Sequence, residues 1–71
     1  MYLVSQDKKI LIQFEKVEVA GMFKTYSINA YGTGSSVWAT VGTYETEEQA
    51  KAELARIIAA VTNEQTVYEV R

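Results

Sequence analysis

The chain has 71 residues, 48% hydrophobic and 23% charged, with a formal net charge of −2. This is a globular rather than a disordered composition, and it suits a single domain, residues 1–71, near the lower size limit for folding unaided. With no Cys and no His, a disulfide framework is excluded and a zinc site is left without its usual ligands, so self-association is the expected source of extra support.

The opening segment, Met1 to Lys9, lacks an unbroken apolar run of signal-peptide length. No stretch approaches the roughly 18 consecutive apolar residues of a membrane span. A soluble, cytoplasmic protein is expected, with no membrane partner.

Taken in chain order, the first two-thirds read as strands, because apolar residues recur at every second position between turn-like clusters. Met1 to Val4 is a first strand, and Ser5 to Lys9 a polar turn. A second strand starts at Ile10, with Ile10, Ile12 and Phe14 on one face. Val17 and Val19 then fall at odd positions, out of phase with that set. A bulge near Glu15-Lys16 would return them to the same face. Ala20-Gly21-Met22-Phe23 reads as a turn in which Gly21 is free to take positive φ. A third strand follows from Lys24 to Tyr31, with Tyr26, Ile28 and Ala30 alternating against Thr25, Ser27 and Asn29. Gly32-Thr33-Gly34-Ser35 is a second turn. The fourth strand covers Ser36 to Tyr44, with Val37, Ala39 and Val41 facing one way and Trp38, Thr40 and Tyr44 the other.

Thr46-Glu47-Glu48-Gln49 fits a capping box and marks a helix start, with two glutamates in the first turn where the helix dipole favours them. Ala50, Leu54, Ile57, Ile58 and Val61 then trace one face at helical spacing. Glu47 and Lys51 form an i, i+4 pair in the favourable order. Asn63 is placed to end the helix as a left-handed cap. Thr66 to Val70 is a short last strand, at a sheet edge or beside the first strand. The order is β-β-β-β-α-β, and the expected architecture is α+β: an antiparallel four- to five-stranded meander with one C-terminal helix packed on a face.

Few residues are equipped for chemistry. Acid–base and nucleophilic catalysis draw mainly on His, Cys, or a Ser or Lys activated by a positioned base. The carboxylates here sit at predicted turns, strand ends and the helix start, where water solvates them. Glu45, Glu47 and Glu48 lack the spaced oxygen ligands of a calcium loop. Gly32-Thr33-Gly34-Ser35-Ser36 joins two strands and lacks the lysine of a phosphate loop, which leads from a strand into a helix. No enzymatic activity, no metal and no cofactor are expected.

The aromatic residues Tyr2, Phe14, Tyr26, Tyr31, Trp38, Tyr44 and Tyr68 fall mostly in strands, and sheet aromatics can stack nucleobases. That mode also needs a basic groove, whereas Lys8, Lys9, Lys16, Lys24, Lys51, Arg56 and Arg71 are scattered through an acidic chain. No nucleic-acid partner is expected. Alternation places Trp38 and Tyr44 opposite Val37, Ala39 and Val41, and one helix cannot cover both faces of such a sheet. Trp38 and Tyr44, with neighbouring Tyr31, are therefore candidate interface residues. Met22 and Phe23, apolar in a predicted turn, are further candidates. So are Ala52, Ala55 and Ala59, small residues beside the main apolar helix stripe.

Three segments together carry a resemblance. Val4-Ser5-Gln6-Asp7-Lys8-Lys9 leads into an apolar strand, Val41-Gly42-Thr43-Tyr44-Glu45-Thr46-Glu47-Glu48-Gln49-Ala50 leads into the helix, and Thr66-Val67-Tyr68-Glu69-Val70 closes the chain. The combination resembles a set of small proteins of unknown function from Gram-positive (Firmicutes) bacteria and their phages and prophages. The resemblance spans nearly the whole chain and implies a cytoplasmic accessory protein; it brings no site residues with it. The expected function is a non-enzymatic interaction protein, a homo-oligomer with or without a further protein partner, acting on host or defence machinery if phage-encoded. The alternative is a small-ligand (nucleotide-like) binding or sequestering protein. Its pocket would lie between protomers and be lined by Trp38, Tyr31, Tyr44 and Arg56.

Overall fold

Alternation in the first 44 residues builds four strands, and the capped segment after them builds one helix. The computed structural model describes residues 1–32 and 37–71, with Met22 described by its backbone only. Strands β1 (Tyr2–Val4), β2 (Leu11–Met22), β3 (Thr25–Gly32) and β4 (Trp38–Tyr44) form an antiparallel meander. Helix α1 (Glu47–Thr62) then crosses to β5 (Val67–Glu69), which joins the far edge parallel to β1. The sheet order is β4-β3-β2-β1-β5, an α+β fold with the helix on one face. The predicted turn at positions 32–35 falls mostly on residues 33–36, outside the described residues, and Gly32 itself ends β3.

The change of phase in β2 has the expected cause. Its register against β3 shifts between Phe14 and Lys16, so Glu15 is the extra residue of a bulge. Phe14, Val17 and Val19 thereby all pack against the core. The polar turn after β1 is held by Ser5, whose hydroxyl donates to Asp7 Oδ1 at 2.6 Å and accepts from the Ile10 amide at 3.1 Å. That hydroxyl, with the Lys9 amide, holds the Asp7 carboxyl below its ordinary range.

Three expectations are corrected. The β2–β3 turn is Phe23-Lys24, between the paired residues Met22 and Thr25. The residue with positive φ there is Phe23, at 57°, while Gly21 lies within β2 opposite Tyr26. The left-handed residue ending the helix is Glu64, φ 57°, and Asn63 is the cap before it with φ −87°. Glu64 N–H donates to Val61 C=O and Gln65 N–H to Ala60 C=O, which is the Schellman pattern of bonds.

The third correction concerns the helix face. Its buried residues are Ala50, Glu53, Ile57 and Ala60, with Leu54 half-buried. Ile58 and Val61, expected in the core, are 56% and 49% exposed. The buried stripe is rotated toward Glu53, whose carboxylate accepts from the Tyr68 hydroxyl on β5 and from the Arg71 amide beyond it. The start of the helix is as expected: Gln49 N–H donates to Thr46 Oγ1 at 3.2 Å, and the Thr46 N–H donates to Gln49 Oε1 at 3.2 Å. Lys51 and Glu47 meet at 3.4 Å.

The two halves of the sheet curl toward each other. Gln6 N–H donates to Val41 C=O, and Thr43 N–H to Gln6 Oε1, both at 2.8 Å. The Tyr44 hydroxyl donates to Arg71 C=O at 3.0 Å. The end of β4 therefore touches the β1–β2 turn and the C-terminal residue, although β4 and β5 lie on opposite edges. Leu3, Ile12, Ile28, Ala30, Val41, Ile57 and Val70 form the core between this curled sheet and the helix.

Candidate functional site

A second bulge decides where the β4 aromatics go. The register of β3 against β4 shifts between Ile28 and Asn29, which pair with Gly42 and Thr40, so Val41 is the extra residue. Val41 is buried in the core beside Ile28, and alternation restarts after it. Tyr44 consequently packs on the helix side while Trp38 stays on the open face. The expectation that these two share a face is overturned. Alternation alone carries no sign of the inserted residue, since Val41 looks like an ordinary inward position.

On the open face, Trp38 is 59% exposed. Its ring stacks on Tyr31, the residue opposite it on β3, with centroids 6.2 Å apart and planes 27° apart. The Lys16 ammonium lies 4.9 Å from the centre of the Tyr31 ring, within cation–π range. Tyr31 donates its hydroxyl to Glu18 Oε2 at 3.3 Å, and Lys16 pairs with Glu18 at 3.2 Å. An exposed aromatic pair is thus fixed in place by a charged pair on the neighbouring strand. The Tyr31 ring is held by the stack, the Lys16 cation and a hydrogen bond, and Trp38 by the stack.

The other candidates lie apart from this pair. Phe23 is 97% exposed at the tip of the β2–β3 hairpin. Met22 is the last residue of β2, and its side chain lies outside the description. Ala52, Ala55 and Ala59 are exposed on the outer side of α1, and the uncovered Ile58 is one turn from Ala55. None of the described side chains among these touches the Trp38–Tyr31 stack, and Ala52 instead lines one cleft with Tyr44.

On the helix side, Tyr44 and Arg56 line a cleft of about 710 Å³ together with Lys24, Arg71, Gln49 and Thr43. Three of the seven cationic residues of an acidic chain therefore border one opening. Burial, then the nearby negative charge of Glu53, pushes the Tyr44 phenol up to about 12. Tyr68 is raised for the same reasons, burial first and then its hydrogen bond to Glu53. Both phenols are therefore protonated donors at neutral pH.

The residue that sequence reasoning missed is Glu53. It is fully buried and accepts from the Arg56 guanidinium at 2.5 Å, the Tyr68 hydroxyl at 2.8 Å and the Arg71 amide at 2.8 Å. Its signal was available: Glu53 sits three residues after Ala50 and four before Ile57, on the inner side of the helix. Among the described residues, no group of three or more Asp and Glu residues is placed to hold a metal ion.

No protein-family model matches the chain, and no curated protein and no solved structure matches it either. No helix among the described residues is long and apolar enough to cross a membrane.

Proposed function

We propose that this chain is a non-enzymatic contact protein, working in the cytoplasm through protein–protein association and built to self-associate. The observation that carries this reading is the exposed Trp38–Tyr31 stack, ordered by Lys16 and Glu18 on a sheet face that the helix leaves uncovered. Trp and Tyr dominate binding hot spots, and an aromatic centre with a charged border is the usual anatomy of such a patch. A phage-encoded accessory role, binding and thereby blocking host or defence machinery, is the biological form we favour. Sedimentation of the wild-type protein and of Trp38→Ser is the test. An oligomer that Trp38→Ser dissociates, with the thermal transition of the monomer retained, supports the reading. A wild type that stays monomeric at every concentration removes self-association from it.

A second reading is favoured by the cleft beside Tyr44. Lys24, Arg56 and Arg71 border it together with Glu45, and Arg56 is paired with Glu53; the positive charge that remains suits a small anionic ligand of nucleotide type. The cleft lies within one chain, and Trp38 and Tyr31 do not line it. A ligand bound only by the native state raises the melting temperature with concentration. Thermal-shift measurements with nucleotides on the wild type and Lys24→Ala test this directly. No shift at millimolar nucleotide counts against it.

A further inference from the structure

Charge is distributed unevenly along this chain. From Thr25 to Tyr44, the stretch that contains β3 and β4, there is no Asp, Glu, Lys or Arg. β4 is an edge strand, and edges are ordinarily protected by charged residues, proline or extreme shortness. The opposite edge has such protection: β5 has three residues, and its Glu69 is paired with Lys8 at 2.7 Å. β4 has seven residues with neither a charge nor a proline.

The backbone shows which part of that edge is open. Gly32 N–H donates to Val37 C=O at 2.8 Å, so Gly32 and Val37 form a hydrogen-bonded pair. Antiparallel pairs alternate between bonded and non-bonded. Ala30 with Ala39 is then the next bonded pair, while Trp38, opposite Tyr31, and Thr40, opposite Asn29, are non-bonded. The N–H and C=O groups of Trp38 and Thr40 accordingly face outward. From Val41 onward the edge is closed, because Val41 C=O already accepts from Gln6 N–H. Among the described residues, no turn or loop backbone bonds to Trp38 or Thr40 on that side.

We infer that two copies of this chain join through the outer edge of β4, antiparallel across a twofold axis at Ala39, with Trp38 of each pairing with Thr40 of the other. The inference rests on the self-association proposed above and specifies its geometry. In this register the four outward groups of one strand meet their complements on the second copy, and the contact closes on itself. Both Trp38 rings lie on the open face on either side of the axis. Two copies of an acidic protein repel, and the uncharged edge lets them meet without like charges in apposition. On the open face Lys16 and Glu18 pair with each other on β2, beyond β3, and Asp7 of the β1–β2 turn is the one charged residue that shares a cleft with Thr40.

The test is amide hydrogen exchange by NMR on the intact protein, from micromolar to millimolar, alongside sedimentation. The amides of Trp38 and Thr40 should gain about tenfold protection or more as dimer forms. Ala39, bonded to β3, should be protected at every concentration. Thr40→Pro removes one outward N–H, a change that edge strands tolerate, and should leave a folded monomer by circular dichroism. A dimer in which the Trp38 and Thr40 amides exchange equally fast at all concentrations overturns the β4 pairing and leaves the contact reading standing. A wild type that never associates overturns the β4 pairing and the self-association it rests on. If Thr40→Pro fails to fold, the wild-type exchange data decide alone.

Discussion

Tyr68 donates its phenolic hydrogen to Glu53 at 2.8 Å, tying the last strand to the middle of the helix through a carboxylate with no exposure to water. Glu53 also accepts from the Arg71 amide and from Arg56. The bonds to Tyr68 and Arg71 span 15 and 18 residues, so this one side chain fixes how the C-terminal segment lies against the helix.

Replacing Glu53 with Ala strands the Tyr68 hydroxyl and the Arg71 amide and leaves Arg56 without its partner. The expected cost is about 3 kcal/mol or more, because donors arranged around a buried charge lose it. Tyr68→Phe deletes one bond to a charged acceptor and should cost about 2 kcal/mol. In urea unfolding the double variant should cost less than the sum of the two, since the residues share one interaction. Strict additivity would show that the two side chains are not coupled.

Alkaline titration gives a second test. The folded Tyr44 phenol is pushed up to about 12 from an ordinary value of 10.0, with burial as the main cause. The folded state therefore holds this proton more tightly than the unfolded state does. Its contribution to stability is complete below pH 10 and is lost as pH rises from 10 toward 12. Melting temperature should fall through that window, and Tyr44→Phe should flatten the fall. Absorbance of tyrosinate should show Tyr44 and Tyr68 ionising late in the wild type, with one of these late phenols missing from Tyr44→Phe.

How much of this was legible in the sequence depended on whether the signal was local. The capping box at Thr46 and Gln49 involves residues three apart, and the bulge near Glu15 left a visible change of phase between Phe14 and Val17. The bulge at Val41 leaves none, because the inserted residue is itself apolar and buried, and so alternation puts Tyr44 on the wrong side. Spacing from Ala50 and Ile57 places Glu53 on the inner side of the helix, but what lets a carboxylate stay buried there, the Tyr68 hydroxyl and the Arg71 amide, arrives from a segment distant in sequence. Nor does helical periodicity reveal that the buried stripe is rotated toward Glu53, which leaves Ile58 exposed. The exposed Trp38 was legible from parity because it precedes the second bulge.

Gly42 records how closely Tyr44 approaches its own strand. A Cβ built at position 42 would lie 2.5 Å from the Tyr44 hydroxyl oxygen and 3.1 Å from its ring carbons. Gly42→Ala should force that ring away, break its bond to Arg71 C=O, and destabilise the fold by about 1–3 kcal/mol. In a Tyr44→Ala background, where the ring is gone, most of that penalty should vanish. Thermal or urea unfolding of the four proteins in the cycle measures it. An equal penalty in both backgrounds would mean that the glycine answers to the bulge and not to the ring.

Ile57 and Ile58 are chemically identical neighbours with opposite environments. Ile57 has no exposure and belongs to the core cluster, whereas Ile58 is 56% exposed. Ile57→Ala should therefore cost about 2–5 kcal/mol, the transfer term plus the cavity it leaves. Ile58→Ala should fall within about 0.5 kcal/mol of wild type, as surface substitutions do. In urea unfolding, the midpoint should drop strongly for the first and barely for the second, with similar slopes. The comparison is best made on dilute, monomeric protein, since any partner covering α1 would protect Ile58 as well. A loss at Ile58 that grows with protein concentration would place the helix flank, and not β4 alone, within an association surface.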